Sequence, residues 1–172
     1  MLAGHIYAIA GGGRLTGNGV PATRAPVYAA GVARDGAGNV VIGDGPRLRV
    51  AAARTGRYYG QAMRAGDIYT AAGAGSGYRS SGDGGAAGKA RISAAYVAVD
   101  GAGNLVFADD GAGTIRVVAV RAGTFYGIPV QAGDVYSITG SGAAAGSHSG
   151  GAPASGPLPG PRPGWRQTGR VT

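Results

Sequence analysis

The chain has 172 residues, of which 37 are glycine and none is cysteine, and its formal net charge at pH 7 is +8. The length indicates one domain, and the absence of cysteine excludes disulfide bonds, thiol catalysis and cysteine-based zinc sites. Because much of the apolar fraction is alanine, which buries little surface, the composition favours small repeated units over one large core.

A nine-residue segment occurs three times, as AGHIYAIAG from Ala3, AGDIYTAAG from Ala65 and AGDVYSITG from Ala132. A second landmark, DGAGN, lies once between each pair of successive copies. Landmarks that recur in a fixed order predict a tandem repeat. The predicted repeat spans 3–139, with units of about 3–64 and 65–131 and a third unit that begins at 132.

Each unit contains four short segments rich in Val, Ile, Tyr and Thr, separated by Gly, Asp and Asn, which is a pattern typical of strands. The first set of predicted strands is 31–35, 39–44, 47–53 and 67–72. The second set is 96–100, 104–109, 114–120 and 134–139. Residues 5–10 match the fourth strand of each set and are predicted to form one extra strand.

The connections between these strands differ in their sequence signals. DGAGN is turn chemistry, because glycine adopts positive φ and Asp and Asn bond the local backbone, so it predicts a tight hairpin. Residues 53–66 and 121–133 each carry an aromatic pair, which predicts a hairpin extension. The glycine-rich stretch 73–95 is predicted to cross the surface. Residues 140–172 are rich in Gly, Ala, Ser and Pro, and we predict that they are a disordered tail.

Four short strands per unit, repeated in tandem, are the pattern of β-propeller blades. The segments GVARDGAGNVVIGDGPRLRV and YVAVDGAGNLVFADDGAGTIRVV resemble the NHL repeat, and GYRSSGDGG and AGDIY are similar to the long-blade, teneurin-like NHL arrays of actinobacterial proteins. The resemblance implies an all-β fold of about two four-stranded antiparallel blades plus one extra strand.

A closed propeller needs roughly four to eight blades, so two blades are an incomplete ring. Three explanations are open: the chain is a fragment of a longer array, several chains build one ring, or an eroded array folds poorly. A homo-oligomer of three chains would supply about six blades.

The first unit departs from the second at several positions. Asn18 stands where the second unit has Asp83, and Arg34 stands where it has Val99. The NHL resemblance implies that the first strand of a blade lines the central channel and carries an apolar residue there. We infer that the first unit has drifted and that the second is the better template.

Charged residues recur at three equivalent places in the two units: Asp35 and Asp100 end the first strand, Asp44 and Asp109 end the second, and Arg49 and Arg116 lie in the third. The first pair is predicted to cap the turn, or alternatively to be a channel-facing ligand group. The second pair is predicted to bond locally or to a third-strand arginine, or alternatively to lie on a binding face. The arginines are predicted to pair within the blade, or alternatively to bind an anion.

With two histidines and no cysteine, the sequence predicts no catalytic residues, no metal site and no cofactor. Asp83 beside three glycines only loosely suggests a calcium loop, because one carboxylate is far short of a calcium ligand set. We therefore expect a non-catalytic binding or scaffold module that recognises a protein or a carbohydrate. Two alternatives are RNA binding through the basic surface, as some NHL domains do, and a degenerate fragment of a propeller lyase.

The sequence also bears on membranes and targeting. No apolar run approaches about 20 residues, so no transmembrane span is expected. The first residues, MLAGHIYAIAGGG, lack the basic and apolar regions of a signal peptide. The compartment is therefore left unassigned.

Overall fold

The structure, a computed structural model, describes residues 2–75 and 79–139. In this part of the chain the fold is all-β. The strands of the first sheet are β1 Val20–Pro21, β2 Gly31–Arg34, β3 Val40–Gly43, β4 Leu48–Ala51 and β7 Asp67–Ala72. They are antiparallel, in the order β1-β7-β4-β3-β2. A separate hairpin contains β5 Gly56–Tyr58 and β6 Gln61–Met63.

The second sheet repeats the first, strand for strand. Its members are β8 Gly85–Ala86, β9 Ala94–Val99, β10 Leu105–Asp109, β11 Thr114–Val118 and β14 Asp134–Thr139. Their order is β8-β14-β11-β10-β9, and a second hairpin contains β12 Gly123–Phe125 and β13 Ile128–Val130. We call each sheet with its hairpin a blade, so the structure is two blades of an incomplete propeller.

The eight strands predicted within the two sets and the two predicted hairpin extensions are confirmed. The DGAGN hairpins are confirmed too. In the first, the backbone nitrogen of Gly38 donates to the carbonyl of Asp35 at 3.0 Å, and the chain turns back at Gly38 with φ of +89°. Gly103 has the same role in the second, with φ of +88°. Glycine is required at these two positions because side chains disfavour positive φ.

Two other expectations are wrong. Residues 5–10 form no strand. The sequence predicts them as the fourth strand of a blade, and the described chain contains no preceding blade whose third strand could pair with them. Within 73–95, the side chains of Ala87, Ala90 and Ile92 are buried in the core between the blades, so this connection does not simply cross the surface. Its turn Ala87–Lys89 packs on β7, and apolar side chains there are shielded from water. The predicted disordered tail, 140–172, lies outside the described residues.

Each blade has two faces, and the packing between blades distinguishes them. We call the face of the first blade that packs against the second blade its trailing face, and this face includes Val41, Val50 and Tyr69. The face of the second blade that meets it is the leading face of that blade. It includes Phe107 and Val135, and the two faces share one core. Gly43 lies at this junction so close to the second blade that a β-carbon there would overlap the carbonyl oxygen of Ala95. The junction therefore depends on a residue without a side chain at position 43.

The outer two faces are covered by no further blade in the described chain. On the leading face of the first blade, Val32 is 63% exposed, whereas its equivalent Val97 packs against the shared core. Arg34 on the same strand is exposed, whereas its equivalent Val99 packs against the shared core. The apolar residue that the sequence led us to expect at this position therefore packs between blades in the second unit. On the trailing face of the second blade, Ile115 is half-buried, whereas its equivalent Leu48 is fully buried.

The described residues contain two helical turns, Ala22–Arg24 and Ala87–Lys89, and no helix in this part of the chain is long and apolar enough to cross a bilayer.

Candidate functional site

The carboxylate at the end of each first strand lies inside a network built by the hairpin turn. Asp35 accepts hydrogen bonds at one oxygen from the backbone nitrogens of Ala37 and Asn39, at 2.9 and 2.8 Å. Its other oxygen accepts from the Asn39 side chain and from the hydroxyl of Tyr59, both at 2.8 Å. The Asn39 side chain in turn accepts from the backbone nitrogen of Ala53 at 2.9 Å. The network thus joins the DGAGN turn to the loop before β5.

The second blade repeats this network. Asp100 accepts from the backbone nitrogens of Ala102 and Asn104, from the Asn104 side chain and from the hydroxyl of Tyr126. The Asn104 side chain accepts from the backbone nitrogen of Val120 at 3.0 Å. Both carboxylates therefore have all their hydrogen-bonding positions occupied within the blade, which is the arrangement of a turn cap.

Two tyrosines are held in a backbone conformation that side chains disfavour. Tyr59 and Tyr126 have φ of 49° and 54°, at the first position of the two-residue turns that close the β5–β6 and β12–β13 hairpins. The glycine that follows each tyrosine also has positive φ, so both turns have the backbone twist that two-residue hairpins favour. The hydrogen bond from each hydroxyl to an aspartate offsets the backbone strain. Sequence analysis pointed to the aromatic pairs but not to this bond.

The network shifts the proton affinities of its members. Burial raises the pKa of Tyr59, and the hydrogen bond to Asp35 raises it further. Burial raises the pKa of Asp100, but hydrogen bonds from Tyr126, Asn104 and Ala102 outweigh it, so the pKa of Asp100 is lowered. Tyr59 therefore keeps its proton to a higher pH, and Asp100 keeps its charge to a lower pH, than the same groups do in an unfolded chain.

Replacing Tyr59 by phenylalanine is expected to lower the free energy of unfolding by about 1.5–3 kcal/mol, because a hydrogen bond to a charged group is lost. Urea unfolding followed by circular dichroism measures the change. The control is Tyr96→Phe, because Tyr96 is 72% exposed and its hydroxyl bonds no described residue. That variant should stay within about 0.5 kcal/mol of the parent protein. Equal losses in the two variants would show that the hydroxyl of Tyr59 stabilises nothing.

Stability is also expected to fall at alkaline pH. Burial and the hydrogen bond to Asp100 raise the pKa of Tyr126 to about 12, whereas unfolded tyrosine titrates near about 10. A group whose pKa is higher in the folded state stabilises the fold fully below its unfolded pKa, and this contribution is lost as pH rises through the folded pKa. The urea midpoint should therefore drop between about pH 10 and about pH 12. The double variant Tyr59→Phe/Tyr126→Phe should show a smaller drop, and an unchanged drop would contradict this origin.

The third-strand arginine of the second blade is enclosed by carboxylates and carbonyls. Arg116 is 1% exposed and donates to Asp109 at 3.0 Å and to Asp83 at 2.6 Å. It also donates to the carbonyl oxygens of Arg91 and Ser81, at 3.1 and 3.2 Å. Asp109 further accepts from the hydroxyl of Ser80 and from the backbone nitrogen of Ser93. This cluster ties β11 and β10 to the connection that precedes β9.

In the first blade the corresponding cluster is thinner. Arg49 donates to the carbonyl oxygens of Pro26 and Gly17 at 3.1 and 3.2 Å, and its nearest carboxylate, Asp44, is 3.9 Å away. Asp44 accepts from the backbone nitrogen of Tyr28 at 2.7 Å. The structure therefore brings together Asp44 with Arg49 and Asp109 with Arg116, and it places Asp35 and Asp100 in separate turn networks.

No protein-family model matches the chain, and no curated protein matches it closely enough to count as a relative.

The described residues contain no cluster of three or more His, Cys, Asp or Glu side chains able to hold a metal ion. Asp83, which loosely suggested a calcium loop, bonds Arg116 and the backbone nitrogen of Ser137 instead. The sequence indicated that asparagine in DGAGN bonds the local backbone, but not that Asn39 and Asn104 accept from the distant backbone nitrogens of Ala53 and Val120. It gave no signal for the hydrogen bond from Ser80 to Asp109.

Proposed function

We propose that the chain is a non-catalytic binding or scaffold module, formed by two blades of an NHL-type β-propeller whose completed ring recognises a protein or a carbohydrate. The observation that carries the proposal is that recurring charged residues form hydrogen bonds inside the blades. Asp35, Asp100, Asp109 and Arg116 each make several hydrogen bonds within their own blades. Such residues stabilise a repeat, and they leave recognition to the surfaces that blades expose together.

The two blade faces that no described blade covers favour the proposal of a ring. Residues that are half-buried on the trailing face of the second blade have fully buried equivalents at the internal junction, as Ile115 and Leu48 illustrate. Apolar faces of this kind are normally covered by neighbouring repeats. The neighbours that we propose are further blades.

Further copies of this chain would fit poorly if they repeated the internal junction unchanged. Ala108 and Tyr96 on the second blade stand where the first blade has Gly43 and Gly31. A β-carbon at position 43 would overlap a backbone carbonyl, and one at position 31 would lie 2.9 Å from the same oxygen. A ring of three chains therefore needs a wider junction, and we expect sedimentation to give the mass of one chain, 16.7 kDa.

The double variant Tyr96→Gly/Ala108→Gly tests the origin of that expectation. It recreates the glycine pair of the internal junction on the open trailing face, so it is expected to increase self-association in the same sedimentation experiment. If the variant and the parent protein have the same mass at every concentration, the glycine argument does not govern association.

Recognition itself is tested by binding the labelled chain to a glycan array, to immobilised protein candidates and to RNA oligonucleotides. We expect saturable binding to a glycan or a protein, with the ligand chemically unchanged by mass spectrometry. Binding to RNA that falls by a factor of about 10³ or more between about 50 and 200 mM salt would favour the RNA alternative. Chemical conversion of a ligand would contradict a non-catalytic role and favour the lyase alternative.

A further inference from the structure

The two third-strand arginines have the same position in the repeat but different partners. Arg116 makes four hydrogen bonds, two of them to carboxylates. Arg49 makes two, both to carbonyl oxygens, and its closest carboxylate oxygen is 3.9 Å away. Both guanidinium groups are buried, since Arg49 is only 4% exposed. The first blade therefore buries a cation with two fewer hydrogen bonds to described residues than the second blade provides.

The missing partner is a carboxylate that the repeat supplies once. Asn18 occupies the place of Asp83. It keeps one of the two roles of Asp83, because its side-chain oxygen accepts from the backbone nitrogen of Thr70 at 2.8 Å, as Asp83 accepts from that of Ser137. Its nitrogen is directed to Gln61 at 3.5 Å, so the amide does not replace the ion pair with arginine.

A pocket lies beside Arg49 on the leading face of the first blade. Its volume is about 230 Å³, and its polar lining comes from Arg47, Arg49, Asp44, Thr16, Thr70 and Tyr28. This volume is below the roughly 300–1,000 Å³ of drug-sized ligand sites, so it suits a small group.

The charge of the pocket favours an anion. Arg47 stands where the second blade has Thr114, and Asn18 stands where it has Asp83. Each change makes the charge more positive by one, so Arg47, Arg49 and Asp44 together carry a net positive charge, whereas Arg116, Asp83 and Asp109 together carry a net negative one. Arg47 and Arg49 beside the pocket repel each other: burial lowers the pKa of Arg49, Asp44 opposes this effect, and Arg47 lowers the pKa further.

We propose that this pocket binds a carboxylate, which pairs with Arg49 as the carboxylate of Asp83 pairs with Arg116. The bound group accepts the guanidinium hydrogens that described residues leave unused, and Arg47 balances its charge. A carboxylate on a peptide side chain and a free organic acid share this chemistry. The inference is argued from residues of the first blade alone.

Binding is tested by isothermal titration and by backbone NMR shifts, using acetate and the peptide N-acetyl-Gly-Asp-Gly-amide as probes. The peptide reproduces the 82–84 segment of the second blade. We expect both probes to shift the amide signals of residues 16–18, 47–49 and 70. Tighter binding of the peptide would identify acidic side chains as the source, and equal or tighter binding of acetate would identify free acids. The matched peptide with Asn in place of Asp should not bind.

The variant Asn18→Asp gives the sharpest control, because it restores the internal carboxylate. It is expected to fold with a higher urea midpoint than the parent protein and to bind both probes at least about tenfold more weakly, which corresponds to the loss of one charge-assisted hydrogen bond. Arg47→Thr should also weaken binding, whereas Arg54→Thr removes the same charge from an exposed site and should not.

Three results would overturn the proposal. The first is no shift with either probe at millimolar concentration, and the second is undiminished binding by Asn18→Asp. The third is binding of sulfate and of the Asn peptide that is as tight as binding of the two carboxylate probes. Because Asn18→Asp introduces the residue that the second blade already contains, failure to fold is not expected. If it did fail, Arg47→Thr with its matched control would decide the same question.

Discussion

Replacing Arg116 by methionine is expected to lower the free energy of unfolding by about 3–5 kcal/mol, because it leaves a buried carboxylate without its cation. Asp109 lies 3.0 Å from the guanidinium, and its side chain is fully buried. Methionine fills most of the volume of the arginine stem, so the loss reports on charge more than on a cavity. Urea unfolding followed by circular dichroism gives the value.

The first blade supplies the matched control, Arg49→Met. Its carboxylate partner is 3.9 Å away, so the main loss is that of two hydrogen bonds to carbonyl groups, for which about 1–3 kcal/mol is expected. A double-mutant cycle with Asp109→Asn isolates the pair in the second blade and should show a coupling of about 1 kcal/mol or more. Equal losses at the two arginines, together with a negligible coupling, would show that the ion pair does not stabilise the second blade.

Replacing Gly43 by alanine is the second change with a large expected effect. The added methyl group would overlap the carbonyl oxygen of Ala95, which belongs to the backbone and has no alternative rotamer. Overpacking of this kind costs about 1–3 kcal/mol, and here it acts at the contact that holds the two blades together. We expect a lower urea midpoint and faster hydrogen exchange at Ala94, whose backbone nitrogen donates to Gly45 across the junction at 2.6 Å.

Gly36→Ala is the control for this experiment. Gly36 has ordinary φ and open space around its α-carbon, so alanine there should change stability by less than about 1 kcal/mol, in the stabilising direction. Should Gly43→Ala unfold at the same urea concentration as Gly36→Ala, the close approach at position 43 would have no energetic weight.

Local sequence signals predicted most of each blade. The segments rich in Val, Ile, Tyr and Thr and the glycine in DGAGN act through neighbours along the chain, so strands, hairpins and the turn at Gly38 follow from them. Segment 5–10 has the same local pattern and forms no strand, because a strand also needs a partner. The sequence pattern gives the conformational preference of a segment, but a strand forms only where a neighbouring strand pairs with it.

The details of the candidate site depend on contacts between residues that are distant in sequence. Arg116 meets Asp83 across 33 positions, and Tyr59 meets Asp35 across 24. Sequence comparison within the repeat showed that Asn18 differs from Asp83, but it did not show that the difference leaves a buried arginine beside a pocket. That consequence needed the register of the strands and the path of the preceding connection.

The shortest strands of the fold have a consequence for solubility. β1 and β8, of two residues each, pair with the outer edge of β7 and β14. An unprotected edge strand is a template for pairing with other chains, and proteins often blunt such edges with short segments or proline. Pro21 lies in β1 and has no backbone N–H to offer. The chain therefore protects the outer rim of its sheets from intermolecular β-pairing with only two residues per blade.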